Sequence, residues 1–223
     1  MKRLILVTGT DTGVGKTVLA ALLADHLRRQ GVRVAALKPV SSGGRGDARI
    51  LEGALNGALT IDEINPWYFR APIAPVLAAR HEGRRITLAA VLAHIRKVQA
   101  HFDQVIVEGA GGLLSPIGEK FSVRELAAAL PVRVVIVCPN RIGAVNQARL
   151  VLETLPLRPK PQASVVLMAT RRADVSARTN AGLLAEFFDS KRIFSLPWLG
   201  ESWFSRAPSN RRVTAVLQAL ADA

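Results

Sequence analysis

The stretch VTGTDTGVGKTVLAALLADHL, residues 7–27, leaves an apolar run, crosses a glycine-rich turn and enters an amphipathic helical pattern. Glycine at positions 13 and 15 permits the close backbone approach that a bound anion needs. The backbone N–H groups from Gly13 through Val14 and Gly15 to Thr17 can then point inward at phosphate oxygens, with the positive end of a helix dipole behind them. Lys16 supplies a cation for the outer phosphates, and the Thr17 hydroxyl supplies a hard oxygen ligand for Mg²⁺. The strict spacing places its first glycine at position 10. Here Thr10 stands there, and Gly9 lies one residue earlier.

Such a loop has meaning only between a strand and a helix. Working outward, the runs LILVT, RVAALKP, QVIVEG, RVVIVCP, SVVLMA and RIFSLP read as strands, four of them apolar enough to be buried on both faces. Between them, GKTVLAALLADHLRRQG has helical spacing and ends in Gly31, a C-cap signal. TLAAVLAHIRKVQAHF, GAVNQARLVLETL and SARTNAGLLAEFFDS are further helical patterns. Strand and helix alternate, which predicts right-handed crossovers. The expected fold is α/β: a P-loop NTPase-like, doubly wound, mostly parallel sheet with helices on both faces. No repeat or composition shift divides the chain, so residues 1–223 read as a single P-loop α/β domain. PLRPKPQ, 156–162, reads as a stiff surface connection.

Composition agrees with one large core: 223 residues, 49% hydrophobic, mean hydropathy +0.23. The amino terminus does not read as a signal peptide, and no run approaches the roughly 20 apolar residues of a membrane helix. The single Cys138 excludes an intramolecular disulfide, agrees with a reducing cytoplasm, and reads as a buried strand cysteine. The net charge of +13 raises nucleic acid or acidic membrane as partners, but its arginines are scattered in pairs. No zinc-finger spacing or aromatic RNA-binding motif accompanies them, so a solvated basic surface is expected and neither partner is. The four histidines lack metal-ligand spacing. His94 and His101, seven apart, are expected to share one helix face.

Two further motifs join the loop. QVIVEGAGG, 104–112, ends an apolar strand in Glu108, which places a carboxylate at the carboxyl edge of the sheet beside the P-loop. Gly109, Gly111 and Gly112 would let backbone amides approach a ligand. LKPVSSGGRGD ends another strand in Lys38, whose ammonium can reach a transferring phosphoryl group. Ser41 and Ser42 add hydroxyls, and Asp47 adds a second acid for magnesium.

Taken in order, VTGTDTGVGKT, ALKPVSSG, VEGAGGLLSP and RIGAVNQARL closely resemble dethiobiotin synthetase, as do INPWYFRAPIAPVLAARHEGRRI and the late SLPWLG. The resemblance spans residues 4 to about 200. It implies ATP and Mg²⁺ as cofactors and 7,8-diaminopelargonate as substrate, whose amine takes up CO2 to form a carbamate. The carbamate attacks the γ-phosphoryl group, giving a carbamic–phosphoric anhydride. The second amine then closes the cyclic urea and releases phosphate.

The resemblance also distributes roles. Lys16 and Lys38 are the catalytic cations. Gly13, Val14, Gly15, Lys16, Thr17, Val18, Glu108, Gly109, Ala110, Gly111, Pro197, Trp198 and Leu199 bind nucleotide. Thr17, Asp47 and Glu108 hold the metal. Thr12 and Ser42 contact the carbamate, while Gly143, Ala144 and Asn146 bind the substrate carboxylate across a homodimer interface, paired with the apolar segment from Pro72 to Ala79. A helix N-terminus is a ready anion site, which agrees with the last assignment.

The chain departs from the family pattern in three places. The segment from Ser42 to Asp47 is short. Met168, Ala169 and Thr170 stand where the family often has an adenine-reading asparagine. After SLPWLG no remaining nucleotide contact is evident. Two alternatives stay open: a ParA/MinD-like switch ATPase, although Asp11 stands where those proteins have a signature lysine, and a paralogue with an altered substrate.

Overall fold

Leu4, Ile5, Leu6 and Val7 are buried on both faces of β1 (Arg3–Gly9), the continuous apolar pattern of a central parallel strand. In the computed structural model, residues 3–157 and 162–222 are described; most of the expected connection at 156–162 lies outside them. From β1 the chain runs through α1 (Lys16–Arg29), β2 (Val34–Leu37), β3 (Val40–Ser42), α2 (Gly46–Leu55), α3 (Ile61–Ile64) and β4 (Trp67–Phe69). Next come α4 (Pro75–His81), α5 (Leu88–Gln99), β5 (Gln104–Glu108), β6 (Pro116–Gly118), β7 (Phe121–Ser122) and α6 (Val123–Ala129). The last part holds β8 (Val132–Asn140), α7 (Ala144–Thr154), β9 (Ser164–Ala169), α8 (Asn180–Ala185), β10 (Ile193–Leu196), α9 (Trp203–Arg206) and α10 (Arg211–Asp222).

The six strands expected from the sequence form the main sheet, in the order β10-β9-β8-β1-β5-β2, and every pair is parallel. The chain travels from β1 past β5 to β2, returns to β5, and then crosses β1 to reach β8, β9 and β10. That reversal makes the sheet doubly wound, and right-handed crossovers send the helices of the two halves to opposite faces. Register decides what meets at the carboxyl edge. Val7 of β1 lies opposite Glu108 of β5, and Leu37 of β2 lies opposite Val107. Glu108, Lys38 and the loop after β1 therefore emerge side by side. One continuous apolar core runs from Leu4 to Ala221.

Helix α1 stops where expected: Gly31 adopts φ +79°, a left-handed conformation, and its amide bonds the Arg28 carbonyl. The segment 176–190 departs from the expected single helix. Only Asn180–Ala185 is α-helical, preceded by a 3₁₀ turn at Val175–Arg178. The break follows from polar groups inside the apolar pattern. The buried Asn180 amide donates to Asn140 Oδ1 at 2.9 Å and to the Arg141 carbonyl, while Asp174 caps the turn through the Ser176 amide. Helix α5 ends at Gln99, so His101 lies beyond it and shares no helix face with His94. His94 instead meets the Glu63 carbonyl at 2.7 Å and the Trp67 ring edge-on. Cys138 is fully buried in β8, and burial pushes its thiol up to about 11.

Candidate active site

The loop after β1 folds as its glycines dictate. Gly13 has φ +73° and Gly15 φ +100°, conformations that a side chain resists. Gly9 takes over part of the role of the missing glycine at position 10. A Cβ on Gly9 would meet Val14 Cγ2 at 2.7 Å and the Lys16 side chain at 3.2 Å, so only glycine lets the loop close over the end of β1. Lys16 then opens α1, where the first-turn amides have no intrahelical acceptor. Its ammonium reaches back 2.7 Å to the Asp11 carbonyl.

A cleft of about 700 Å³ opens over this edge of the sheet. Thr12, Gly13, Gly15, Lys16, Thr17 and Val18 line it from the loop, with Lys38, Ser42, Asp47, Glu108, Ala110 and Gly111 facing them. Motifs almost a hundred residues apart thus share one chamber. At its floor Glu108 is 1% exposed. Its Oε1 accepts from the Thr17 hydroxyl at 2.7 Å and from Lys38 Nζ at 2.5 Å. Lys38 Nζ also lies 2.9 Å from Asp47 Oδ2, contributed by the first turn of α2.

This packing of charge sets the protonation states. Burial, reinforced by the Lys38 cation, lowers the Lys16 ammonium to about 8, although Glu108, Asp47 and Asp11 oppose the shift. Burial pulls in the same direction on Lys38, but Glu108 and Asp47 outweigh it and hold that ammonium above the ordinary lysine value. Burial would raise the Asp47 carboxyl; Lys38 and its hydrogen bonds prevail and hold it below the usual carboxylate range. Lys38 is therefore firmly charged, whereas Lys16 titrates within reach of neutral pH until an anion joins it.

The donor set at the floor suits a hard divalent cation: one hydroxyl and two carboxylates, all oxygen. Glu108 Oε2 is buried with no hydrogen-bond partner among the described residues, a lone pair set open in a dry place. Thr17, Asp47 and Glu108 are the residues that could hold Mg²⁺, and the lysines and loop amides are those that could hold phosphate.

The glycines after Glu108 work differently from the expectation. The Gly109 amide is engaged with the Val7 carbonyl at 2.9 Å, and the Gly112 amide with Ser115 Oγ at 2.8 Å. Glycine at 109 serves packing, because a Cβ there would meet Val123 Cγ2 at 2.8 Å. Ala110 and Gly111 are the members of this motif that face the cleft. Val14 is buried beneath the loop. Gly143, Ala144 and Asn146 lie at the start of α7 and do not line this cleft, with Asn146 exposed. Pro197, Trp198 and Leu199 follow β10, three strands from β1, and also do not line it.

Sequence reasoning gave the apolar segment from Pro72 to Ala79 to a subunit interface and missed that its start walls the cleft. Ile50, Pro72, Ile73, Ala74 and Pro75 face the charged floor across the cleft. The signal was present in APIAP, whose prolines cannot continue a strand. Pro75 opens α4 and turns the chain back over the site.

A six-stranded parallel sheet with a glycine–lysine–threonine loop between its central strand and α1 defines a P-loop nucleotide-binding protein. A family model described as an AAA domain matches residues 3–203. Among solved structures, pNOB8 ParA bound to nonspecific DNA superposes with TM-score 0.63 at 14% identity, covering 100% of this chain and 98% of that one. A ParA family ATPase from Chlorobium tepidum gives 0.60 at 17%, covering 98% of each. At such identity the likeness is one of fold.

Sequence relatives are more specific. An ATP-dependent dethiobiotin synthetase of Anaeromyxobacter dehalogenans is 40% identical over 199 residues, 87% of this chain and 89% of the relative. A protein of the same name from Akkermansia muciniphila is 36% identical over 200 residues, 89% of this chain and 91% of the relative. One from Methanocaldococcus jannaschii is 36% identical over 156 residues, covering 68% and 73%. The chain belongs to the ATP-dependent dethiobiotin synthetase family.

Proposed function

We propose that the protein carries out the family's reaction: ATP-dependent carboxylation of 7,8-diaminopelargonate with CO2, and ring closure to dethiobiotin with release of ADP and phosphate. The observation that carries this reading is the floor of the cleft, where Lys38, Thr17, Asp47 and Glu108 converge beside the P-loop. Phosphoryl transfer asks little covalent chemistry of a protein. It needs positioning and a cationic surrounding for charge that spreads over the transferring oxygens.

Each side chain then has a task. The loop amides and Lys16 hold the β- and γ-phosphates, and nucleotide binding raises Lys16 back toward the charged form. Thr17, Asp47 and Glu108 hold Mg²⁺, which neutralises phosphate charge when bound. Lys38, fixed between two carboxylates, faces the carbamate and the γ-phosphoryl group, with Thr12 and Ser42 as hydrogen-bonding partners for the carbamate. The apolar wall of Ile50, Pro72 and Ile73 suits the alkyl chain of an amino acid substrate and keeps water from the anhydride.

In the same reading residues 1–223 form one domain, which the continuous core supports. The substrate carboxylate is taken up by Gly143, Ala144 and Asn146 of a second subunit. Exposed Leu150 on that helix, Ile142 just before it and Leu114, which shares a surface depression with Leu150, suit an interface. A cytoplasmic location, with neither nucleic acid nor membrane as partner, completes it. Among the described residues no helix is long and apolar enough to cross a membrane.

The test is direct. Protein, MgATP, bicarbonate and diaminopelargonate are incubated, and ADP and dethiobiotin are measured together. Equal amounts of both support the proposal. ADP formed at the same rate without the diamine, or stimulated by DNA, points to a switch ATPase instead.

A further inference from the structure

The sequence pair Asn65-Pro66 has no task in the chemistry above, yet Asn65 is fully buried at the end of α3. A buried amide must be bonded, and the choice of partners shows what it holds. Its Nδ2 donates to the Lys38 carbonyl at 2.6 Å. Its Oδ1 lies 3.0 Å from Ser41 Oγ, whose proton is shared between it and the Gly44 carbonyl. One side chain thus bridges both ends of the segment 38–41.

That segment needs holding. Strand β2 ends at Leu37, so Lys38 and Pro39 have already left the main sheet. What remains to them comes from 64–67: the Lys38 amide bonds the Ile64 carbonyl at 3.0 Å, and the Trp67 amide bonds the Pro39 carbonyl at 3.1 Å. Asn65 is itself fastened, because Arg45 Nη2 donates to its carbonyl at 2.9 Å. Pro66 restricts its backbone toward extended conformations and ends α3 there.

We propose that Asn65 is a positioning residue for the reaction: its amide clamps the backbone of Lys38 and Ser41 and so sets the distance of the Lys38 ammonium from the reacting groups. Among the described residues the hydrogen bonds of Asn65 go to Lys38, Pro39, Ser41, Arg45 and Ile61 and none to the P-loop, so nucleotide affinity should change little when the clamp is lost. This rests on the role given to Lys38, and the Lys38→Met enzyme, measured in parallel, separates failure of that role from failure of the clamp.

The assay is kcat per nucleotide-binding site, with sites counted by a non-hydrolysable ATP analogue so that unfolded protein drops out. Asn65→Ala is expected to lose about ten- to a hundredfold in kcat, the usual consequence of misplacing a group by an ångström or less. Its affinity for the analogue should stay within about threefold of the parent's, because only a contact made in the transition state is lost. Asn65→Asp provides a second readout if the alanine variant folds poorly. Only a protonated carboxyl can donate to the Lys38 carbonyl, so its rate relative to the parent at the same pH should rise as pH falls. The clamp is overturned if Asn65→Ala keeps its per-site kcat within about threefold, if kcat and analogue affinity fall together, or if the aspartate ratio is flat with pH.

Discussion

Replacing Lys38 by methionine removes one charge and keeps most of the side-chain volume. Lys38 is 4% exposed, and its ammonium lies 2.5 Å from Glu108 and 2.9 Å from Asp47, so both its environment and its partners are defined. Loss of one preorganised electrostatic contact to a transition state costs about 3–4 kcal/mol, or two to three orders of magnitude in kcat. ATP affinity should hold or rise slightly, because the two carboxylates left behind attract the metal more strongly. Stability should fall, since breaking a buried pair typically costs about 3–5 kcal/mol. The loss will lie at or below the low end of that range, because Thr17 still donates to Glu108 and Asp47 is half exposed. Its pH dependence has a definite sign. Lys38 depresses the Asp47 carboxyl in the folded state, so that stability is present above the unfolded carboxyl value and is lost as pH falls through the folded one. The difference in Tm between parent and variant should therefore be greatest near neutral pH and shrink toward pH 3. Steady-state ADP release with diaminopelargonate, calorimetric ATP binding and thermal melts measure all three. A kcat within tenfold of the parent, or an ATP affinity that falls as far as kcat, refutes the role of Lys38.

Lys16 behaves differently. Its ammonium sits near 8 in the free protein and becomes fully charged with nucleotide, so ATP affinity should decline as pH rises from 7 to 9, and Lys16→Met should bind more weakly with a flatter profile over that range. Composite sites predict complementation: mixing Lys16→Ala with Asn146→Ala subunits should restore activity that neither has alone, and a monomer by light scattering at assay concentration would sink the dimer. Nucleotide selectivity should be weak, with GTP, CTP and UTP turning over within about tenfold of ATP, a gap of ~1.4 kcal/mol. The Met168 methyl packs near Gly15 and the Thr170 hydroxyl donates to the Arg172 carbonyl at 3.0 Å, so neither offers an amide edge to a base; kcat/KM for the four nucleotides checks this, and an ATP preference beyond a hundredfold contradicts it.

The main sheet was legible because its strands are buried on both faces. Runs such as VIV in β5 and VVIV in β8 have no polar alternation to confuse the period. Helix α10 escaped notice although Val213, Leu217 and Leu220 follow helical spacing, since flanking arginines masked its apolar face. The short β3 and β4 strands could not be read: three residues carry no period, and their pairing is set by where the main sheet releases the chain after Leu37. The break in 176–190 was hidden for another reason. Asn180 looks like an ordinary helix-surface residue until Asn140 is placed beside it, and sequence order does not do that.

The site divides along the same line. The placement of Lys16, Thr17, Lys38 and Glu108 at one edge of the sheet was readable because each lies in the first turn of a helix or at or just past the end of a strand there, and topology alone brings such edges together. Asp47 could be named but not placed, since only the fold of α2 brings its carboxylate to Lys38. The prolines of the segment at 72–75 were visible, but neither its place on the cleft nor the clamp at Asn65 could be read, because the position of such connecting segments follows from many contacts at once. A strand-end lysine states its own chemistry. An asparagine that holds the lysine's backbone does so only through hydrogen bonds that form after folding. Residues with reactive groups therefore show in a sequence, whereas the residues that give those groups their geometry show only in the structure. The contrast between Lys38→Met, expected to remove the charge, and Asn65→Ala, expected to leave the charge and move it, is how the two contributions can be told apart.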